Sequence, residues 1–186
     1  VYDLVGIFSY ARALETVTPG LAAGVNLKFL QSALGEFQAN AFAADLGLHW
    51  TPFSAAALGL AVRNLGTPLT FVEEGDPLPA RVVLGGRYTL LAEKRERFDF
   101  LLDLEQAVID PATIVHVGGE FTYAGTFLVR AGATLDREGT EGAAVGVGVR
   151  TRLFALDVHL DYAYRMHQWS AEDFLGAQWI SLGMRF

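Results

Sequence analysis

Four histidines, His49, His116, His159 and His167, are the side chains best suited to hold a metal or move a proton near neutral pH. His49, His116 and His159 fall on the polar side of separate alternating segments, and His159 lies between Asp157 and Asp161. Imidazole and carboxylate together suit many divalent metals. No pair has the close spacing of a zinc motif such as HExxH, so the three read as polar filling. A serine hydrolase needs its nucleophile held against a base, and Ser9, Ser54, Ser170 and Ser181 all lack a GxSxG context. The chain has no cysteine, which excludes thiol nucleophiles, zinc ribbons and disulfide scaffolds. Gly139 and the glycines around Val145 to Gly148 do not form a phosphate-binding loop, and the acidic stretch Phe71 to Asp76 lacks EF-hand spacing. The residue types predict no enzyme, no cofactor and no metal.

What the chain does carry is charge of both signs at alternate positions. Lys28, Asp45, Arg63, Arg87, Asp99, Asp103, Glu120, Arg130, Arg150, Asp157 and Asp161 all fall on the polar side of their segments, with Arg81, Glu105, Arg165 and Arg185 beside them. The signs nearly balance, so the side chains can pair across an interior and rigidify it. A mixed lining of this kind gives no strong selectivity for either sign of ion.

Those charges must be positioned by strands. Phe42, Ala44, Leu46, Leu48 and Trp50 alternate with Asp45, Gly47 and His49, and Leu58, Leu60 and Val62 alternate with Gly59, Ala61 and Arg63. The same period of two returns in Val82 to Leu90, Phe98 to Leu104, Val145 to Val149 and Phe154 to Tyr164. Alternation marks strands with unlike faces. It predicts eleven of them, at 1–14, 19–32, 38–51, 54–66, 80–91, 95–108, 113–124, 126–136, 142–151, 153–166 and 176–186. Each is about 10–14 residues, against about 5–6 in soluble domains, and a tilted strand needs about 9–11 to cross a bilayer.

Composition agrees. Apolar residues make up 52% and charged residues 19% of the 186, with a mean hydropathy of +0.29. Disorder is excluded by that apolar content, and the net charge of −7 argues against a nucleic-acid partner. The longest run free of Asp, Glu, Lys and Arg, Leu46 to Val62, holds Pro52 and is rejected as a spanning helix. The fold class expected is all-β, an antiparallel transmembrane β-barrel, with residues 1–186 as one domain. Short links (near 51–54, 92–96, 124–125 and 151–152) are expected to alternate with longer ones (31–38, 65–79, 109–112, 136–141 and 167–175), as in outer-membrane barrels. A soluble lipocalin-like barrel that binds a small molecule has the same parity and stays open as an alternative.

The chain ends in an alternating strand with Ile180, Leu182, Met184 and Phe186 on one face. A terminal aromatic on such a strand resembles the signal read by the outer-membrane insertion machinery during assembly. The order of several runs adds a family likeness. Gly24-Val25-Asn26-Leu27-Lys28-Phe29-Leu30, Ala43-Ala44-Asp45-Leu46-Gly47, Leu58 to Gly66, Asp76-Pro77-Leu78-Pro79 and Asp161-Tyr162-Ala163-Tyr164 resemble PorV/PorQ-type outer-membrane proteins of the FadL-like β-barrel class. The resemblance runs from about residue 9 to the end. It implies a barrel of fourteen strands as a rule, so the eleven seen here would be its C-terminal part, lacking N-terminal strands, a plug segment and a signal peptide. It implies the bacterial outer membrane, with membrane lipid as surroundings. It implies either a type IX secretion role, with a translocon or cargo protein as partner, or uptake of hydrophobic molecules through a FadL-like channel. The balanced charges favour the secretion-associated or structural role over an apolar fatty-acid pocket.

Overall fold

The computed structural model describes residues 2–34, 37–71, 75–109, 112–136, 139–154, 156–167 and 176–185. It is all-β, and no helix among the described residues is long and apolar enough to cross a membrane. Eleven long strands are β1 (Tyr2–Ala13), β2 (Leu21–Leu34), β3 (Phe37–Phe53), β4 (Ala56–Gly66), β7 (Arg81–Ala92), β8 (Glu96–Ala107), β9 (Thr113–Tyr123), β10 (Phe127–Asp136), β11 (Gly139–Leu153), β12 (Leu156–His167) and β13 (Ala177–Arg185). Two short ones, β5 (Leu69–Thr70) and β6 (Gly75–Asp76), pair with each other in the link after β4. The long strands form one sheet in chain order, β1-β2-β3-β4-β7-β8-β9-β10-β11-β12-β13, and every register described is antiparallel. Each of the eleven expected segments overlaps one long strand, with ends that differ by a few residues.

The chain divides into two compact units, residues 1–85 with 105–112, and residues 86–104 with 113–186. In the first, Tyr10, Val25, Leu46 and Val62 stand in one row across four strands, and Ser9, Asn26 and Asp45 stand in the next. Successive rows face opposite ways, so the sheet has an apolar face and a polar face. Burial on β3 follows the same period. Ala39, Ala41, Ala43 and Asp45 are buried while Gln38, Asn40, Phe42 and Leu46 are exposed. On the apolar face Phe29 and Phe42 meet with ring centroids 5.2 Å apart.

One extra residue interrupts β4. Ala44 pairs with Leu65 and Leu46 with Val62, so Asp45 alone opposes Arg63 and Asn64. Two residues against one is a β-bulge, and Asn64 takes it up at φ 57°, a region that asparagine tolerates better than most side chains. The bulge brings Leu65 back to the apolar face.

Described parts of the link from residue 67 to residue 80 pack on the first unit. Leu69 and Leu78 pack with Leu30 against Ala41 and Ala43 on β3. The Thr67 N–H donates to Phe42 O at 3.0 Å, and the Phe42 N–H donates to Thr67 Oγ1 at 3.1 Å.

In the second unit the rows run Thr122–Leu128–Gly148–Asp161–Ser181 and Glu120–Arg130–Gly146–Ala163–Trp179 on the polar face, with Phe121, Val129, Val147, Tyr162 and Ile180 on the other. Ala124 and Gly125 both have positive φ, 53° and 68°, and the Thr126 N–H donates to Tyr123 O at 3.0 Å. Tyr123 pairs with Phe127, so the link is the three residues 124–126, and its left-handed turn matches the strand twist. Strict alternation of short and long links does not hold. Strands β2 and β3 continue until only residues 35–36 separate them, β10 and β11 until only 137–138 do, and the β1–β2 link spans residues 14–20. Ladder hydrogen bonds extend a strand through polar tips that carry no apolar signal.

Candidate functional site

The two faces of the strands differ in which side chains they bury. Among the described residues, the buried hydrophobic side chains are all alanines apart from Leu78 and Leu128, while Asp45 and Asp99 are buried at 8% and 4% exposure. Phe42, Leu46, Leu60, Leu84, Leu102, Val147 and Leu182 lie exposed on the apolar face. The functional candidates are therefore the charged clusters of the polar face.

The first is built on the bulge. Asp45 accepts from Lys28 Nζ at 2.7 Å, Asn26 Nδ2 at 3.1 Å and the Asn64 N–H at 2.9 Å. Asn64 closes the cluster, accepting from Lys28 Nζ at 2.9 Å and donating through Nδ2 to Pro79 O at 3.1 Å. Positive φ at Asn64 aims its backbone N–H at the carboxylate, so the bulge is a device for holding Asp45. Arg63, its neighbour, is exposed and takes no part in the ion pairs among the described residues.

The second cluster centres on Asp99. Arg97, two residues away on the same face of β8, donates to both carboxylate oxygens, from Nε at 2.7 Å and Nη2 at 3.0 Å. Thr89 Oγ1 donates to Asp99 at 2.5 Å and accepts from Arg97 Nη2 at 3.0 Å. Arg87 stands further off, with Nη1 4.0 Å away. Arg97 is absent from the charges expected from sequence, although it shares their parity. In the first unit, Arg81 pairs with Glu105.

The third spans three strands of the second unit. Arg130 on β10 donates from Nε to Glu120 Oε2 on β9 at 2.6 Å and from Nη1 to Asp161 Oδ1 on β12 at 2.6 Å. The second bond passes over β11, where Gly146 and Gly148 leave the face clear. A Cβ at Gly148 would collide with the Asp161 carboxylate. Gly148→Val is accordingly expected to break the Arg130–Asp161 pair and to cost about 1–3 kcal/mol, the range for overfilling a packed site. Gly6→Ala, whose added Cβ meets nothing within 4 Å, serves as the neutral control. The midpoint of denaturant unfolding in detergent reads both.

The expected network is thus several separate clusters. Asp157 meets Arg152 at 3.6 Å where both are exposed, and Arg150 stands opposite His159. Asp103 has no ion-pair partner among the described residues. His116 is hydrogen-bonded to Thr134 Oγ1 at 3.1 Å, and no three His, Asp or Glu side chains among the described residues are grouped to hold a metal. On β13, Ile180, Leu182 and Met184 lie exposed on the apolar face, and Phe186 lies outside the described residues. Trp179 faces the opposite way, into the charged rows. Parity could have flagged it as the one large aromatic on the polar side of its strand. Compared with known protein families and with curated proteins, the chain matches no family model and no curated protein.

Proposed function

We propose that the chain is part of an integral outer-membrane β-barrel, apolar face to lipid and charged face to an aqueous lumen, with a secretion-associated or structural role of the PorV-like kind. The observation that carries this reading is the difference in burial. Leucine, valine and phenylalanine rows stand exposed while carboxylates are shielded and paired, an arrangement suited to strands that alternate apolar outside and polar inside. The surroundings are membrane lipid, and the strand with Ile180, Leu182 and Met184 serves recognition by the insertion machinery. A type IX translocon or its cargo is the protein partner, docking at the loop end where the 67–80 link is anchored on β3. A FadL-like channel for hydrophobic molecules is favoured less by the polar face. Its charged clusters interrupt any continuous apolar path, and a fatty acid would meet Glu120 and Asp161 with the same sign of charge.

Membrane residence predicts detergent-dependent solubility and a heat-modifiable shift on gels. A chain that is monomeric and folded in plain buffer would overturn it in favour of a soluble binder. The role is tested by isolating the protein from native membranes under mild detergent. Recovery of translocon subunits or cargo supports secretion; consistent recovery of a lipid with no protein partner overturns it.

A further inference from the structure

At the end of the second unit where β10 begins and β11 ends, the polar face holds a cavity of about 700 Å³, within the range of small-molecule sites. Neighbouring strands build it, and their register fixes which side chains share it. Arg150 on β11 stands opposite His159 on β12, which stands opposite Gly183 on β13. The Arg150 N–H donates to Thr126 O at 2.7 Å, which ties in the start of β10. In the next row Arg152, Asp157 and Arg185 stand opposite one another across the same three strands. The two rows are two residues apart along each strand, so their side chains face the same way.

Both carboxylates that line the cavity are turned to other partners. Asp161 reaches over Gly148 to Arg130, and Asp157 meets Arg152 at 3.6 Å. Arg150 and Arg185 are left without an ion-pair partner among the described residues. The His159 ring lies over Gly183, where an added Cβ would collide with it, and so leans toward the strand of Arg185. The cavity and the pairs bordering it hold Arg150, Arg152, Arg185 and Arg130 against Asp157, Asp161 and Glu120, an excess of one positive charge with His159 neutral. Beyond Glu120, on β8, Arg97 and Asp99 add a balanced pair, and Arg87 adds a further positive charge.

Arg150 and Arg185 stand two strands and two residues apart, about 12 Å between Cα atoms, with His159 on the strand between them. Guanidinium forks match the oxygens of phosphate, and an imidazole N–H adds a third donor. A phosphate monoester offers three acceptor oxygens and a charge of about −2 to such a set, where a carboxylate offers two oxygens and a single charge.

We propose that this cavity binds a small phosphate monoester, its oxygens held by Arg150, Arg185 and His159 and the rest of the molecule in the space that remains. The site lies wholly within one unit, and it stands whether or not the sheet resides in a membrane.

The test uses the whole chain in a non-ionic detergent at low salt, with calorimetry of glycerol 3-phosphate as probe and of glycerol and glycerate as its neutral and carboxylate counterparts. Saturable binding of the phosphate is expected, with none of glycerol and at least about tenfold weaker binding of glycerate. Arg150→Gln and Arg185→Gln should each weaken binding of the phosphate about tenfold by removing one charge-assisted partner. Asp157→Asn should strengthen it about two- to threefold, since it removes an opposing charge and frees Arg152. Arg63→Gln, on the polar face of the first unit, should leave it unmoved, and unchanged heat-modifiability certifies that each variant is folded. Phosphatidic acid in mixed micelles carries the same group on a lipid. Tighter binding than glycerol 3-phosphate through the same two arginines makes the ligand a lipid headgroup, and equal or weaker binding makes it a soluble ester. No saturation by either up to about 10 mM, glycerate bound as tightly as the phosphate, or affinity unmoved by both Arg150→Gln and Arg185→Gln would overturn the proposal.

Discussion

Leu60→Arg is expected to lower the stability of the protein in lipid vesicles by about 2–4 kcal/mol, the cost of a cation on the lipid side of a barrel near the bilayer midplane. Leu60 stands in the row Ala23–Leu48–Leu60 on the apolar face and is 42% exposed. Were that face in water, the same change would fall within about 0.5 kcal/mol of neutral, as exposed substitutions usually do. The contrast makes it a sharp test of the membrane reading. Arg63→Leu, three residues on and in no ion pair among the described residues, should be milder. Denaturant titration of folded protein in vesicles measures both, and equal tolerance of the two would mean that the faces are assigned wrongly.

Asp45→Leu should be nearly as damaging, by a different route. It takes the acceptor away from Lys28, Asn26 and the Asn64 N–H together, leaving an ammonium group partly shielded from water. Removing one member of a fully buried pair costs about 3–5 kcal/mol. Because the Lys28 side chain retains 17% exposure, about 2–3 kcal/mol is the fitting expectation here. The double variant Lys28→Met with Asp45→Leu should recover most of the loss, since it removes the stranded charge as well. Unfolding free energies of the four proteins of this cycle give the coupling directly. If the double variant is as unstable as Asp45→Leu alone, the damage comes from the bulge and not from the uncompensated lysine.

The strands were legible because each needs two unlike faces, and that need writes a period of two into the residues. Their ends were less so. The segment expected at 142–151 extends over Gly139–Leu153, because backbone pairing does not stop where apolar side chains do. Within the clusters, like parity identified Lys28 with Asp45 and Arg130 with Glu120 and Asp161 as sharing a face. It could not say which would meet. The Asp161 reach to Arg130 depends on two glycines of an intervening strand, and the hold on Asp45 depends on Asn26 and Asn64, uncharged residues that no charge pattern selects. Arg97 was legible in principle, two residues before Asp99 on the same face. The bulge was not, because its one trace is Leu65 standing out of phase with Leu58, Leu60 and Val62, and a single apolar residue does not tell a bulge from the end of a strand.

That bulge bears on how the length of β4 can change over generations. Leu58, Leu60 and Val62 keep one phase of the strand and Leu65 the other, with Asn64 as the residue that shifts it. Loss of the Asn64 codon would leave Arg63 directly before Leu65, and strict alternation would return with every apolar side chain still on its own face. Loss of a codon between Leu58 and Val62 has no such remedy, because a slip of one residue sends one part of the strand's apolar side chains to the opposite face. A lineage can therefore shorten this strand at Asn64 for the loss of the Asn64 bonds to Asp45, Lys28 and Pro79. Natural length variants of β4 should cluster at that position.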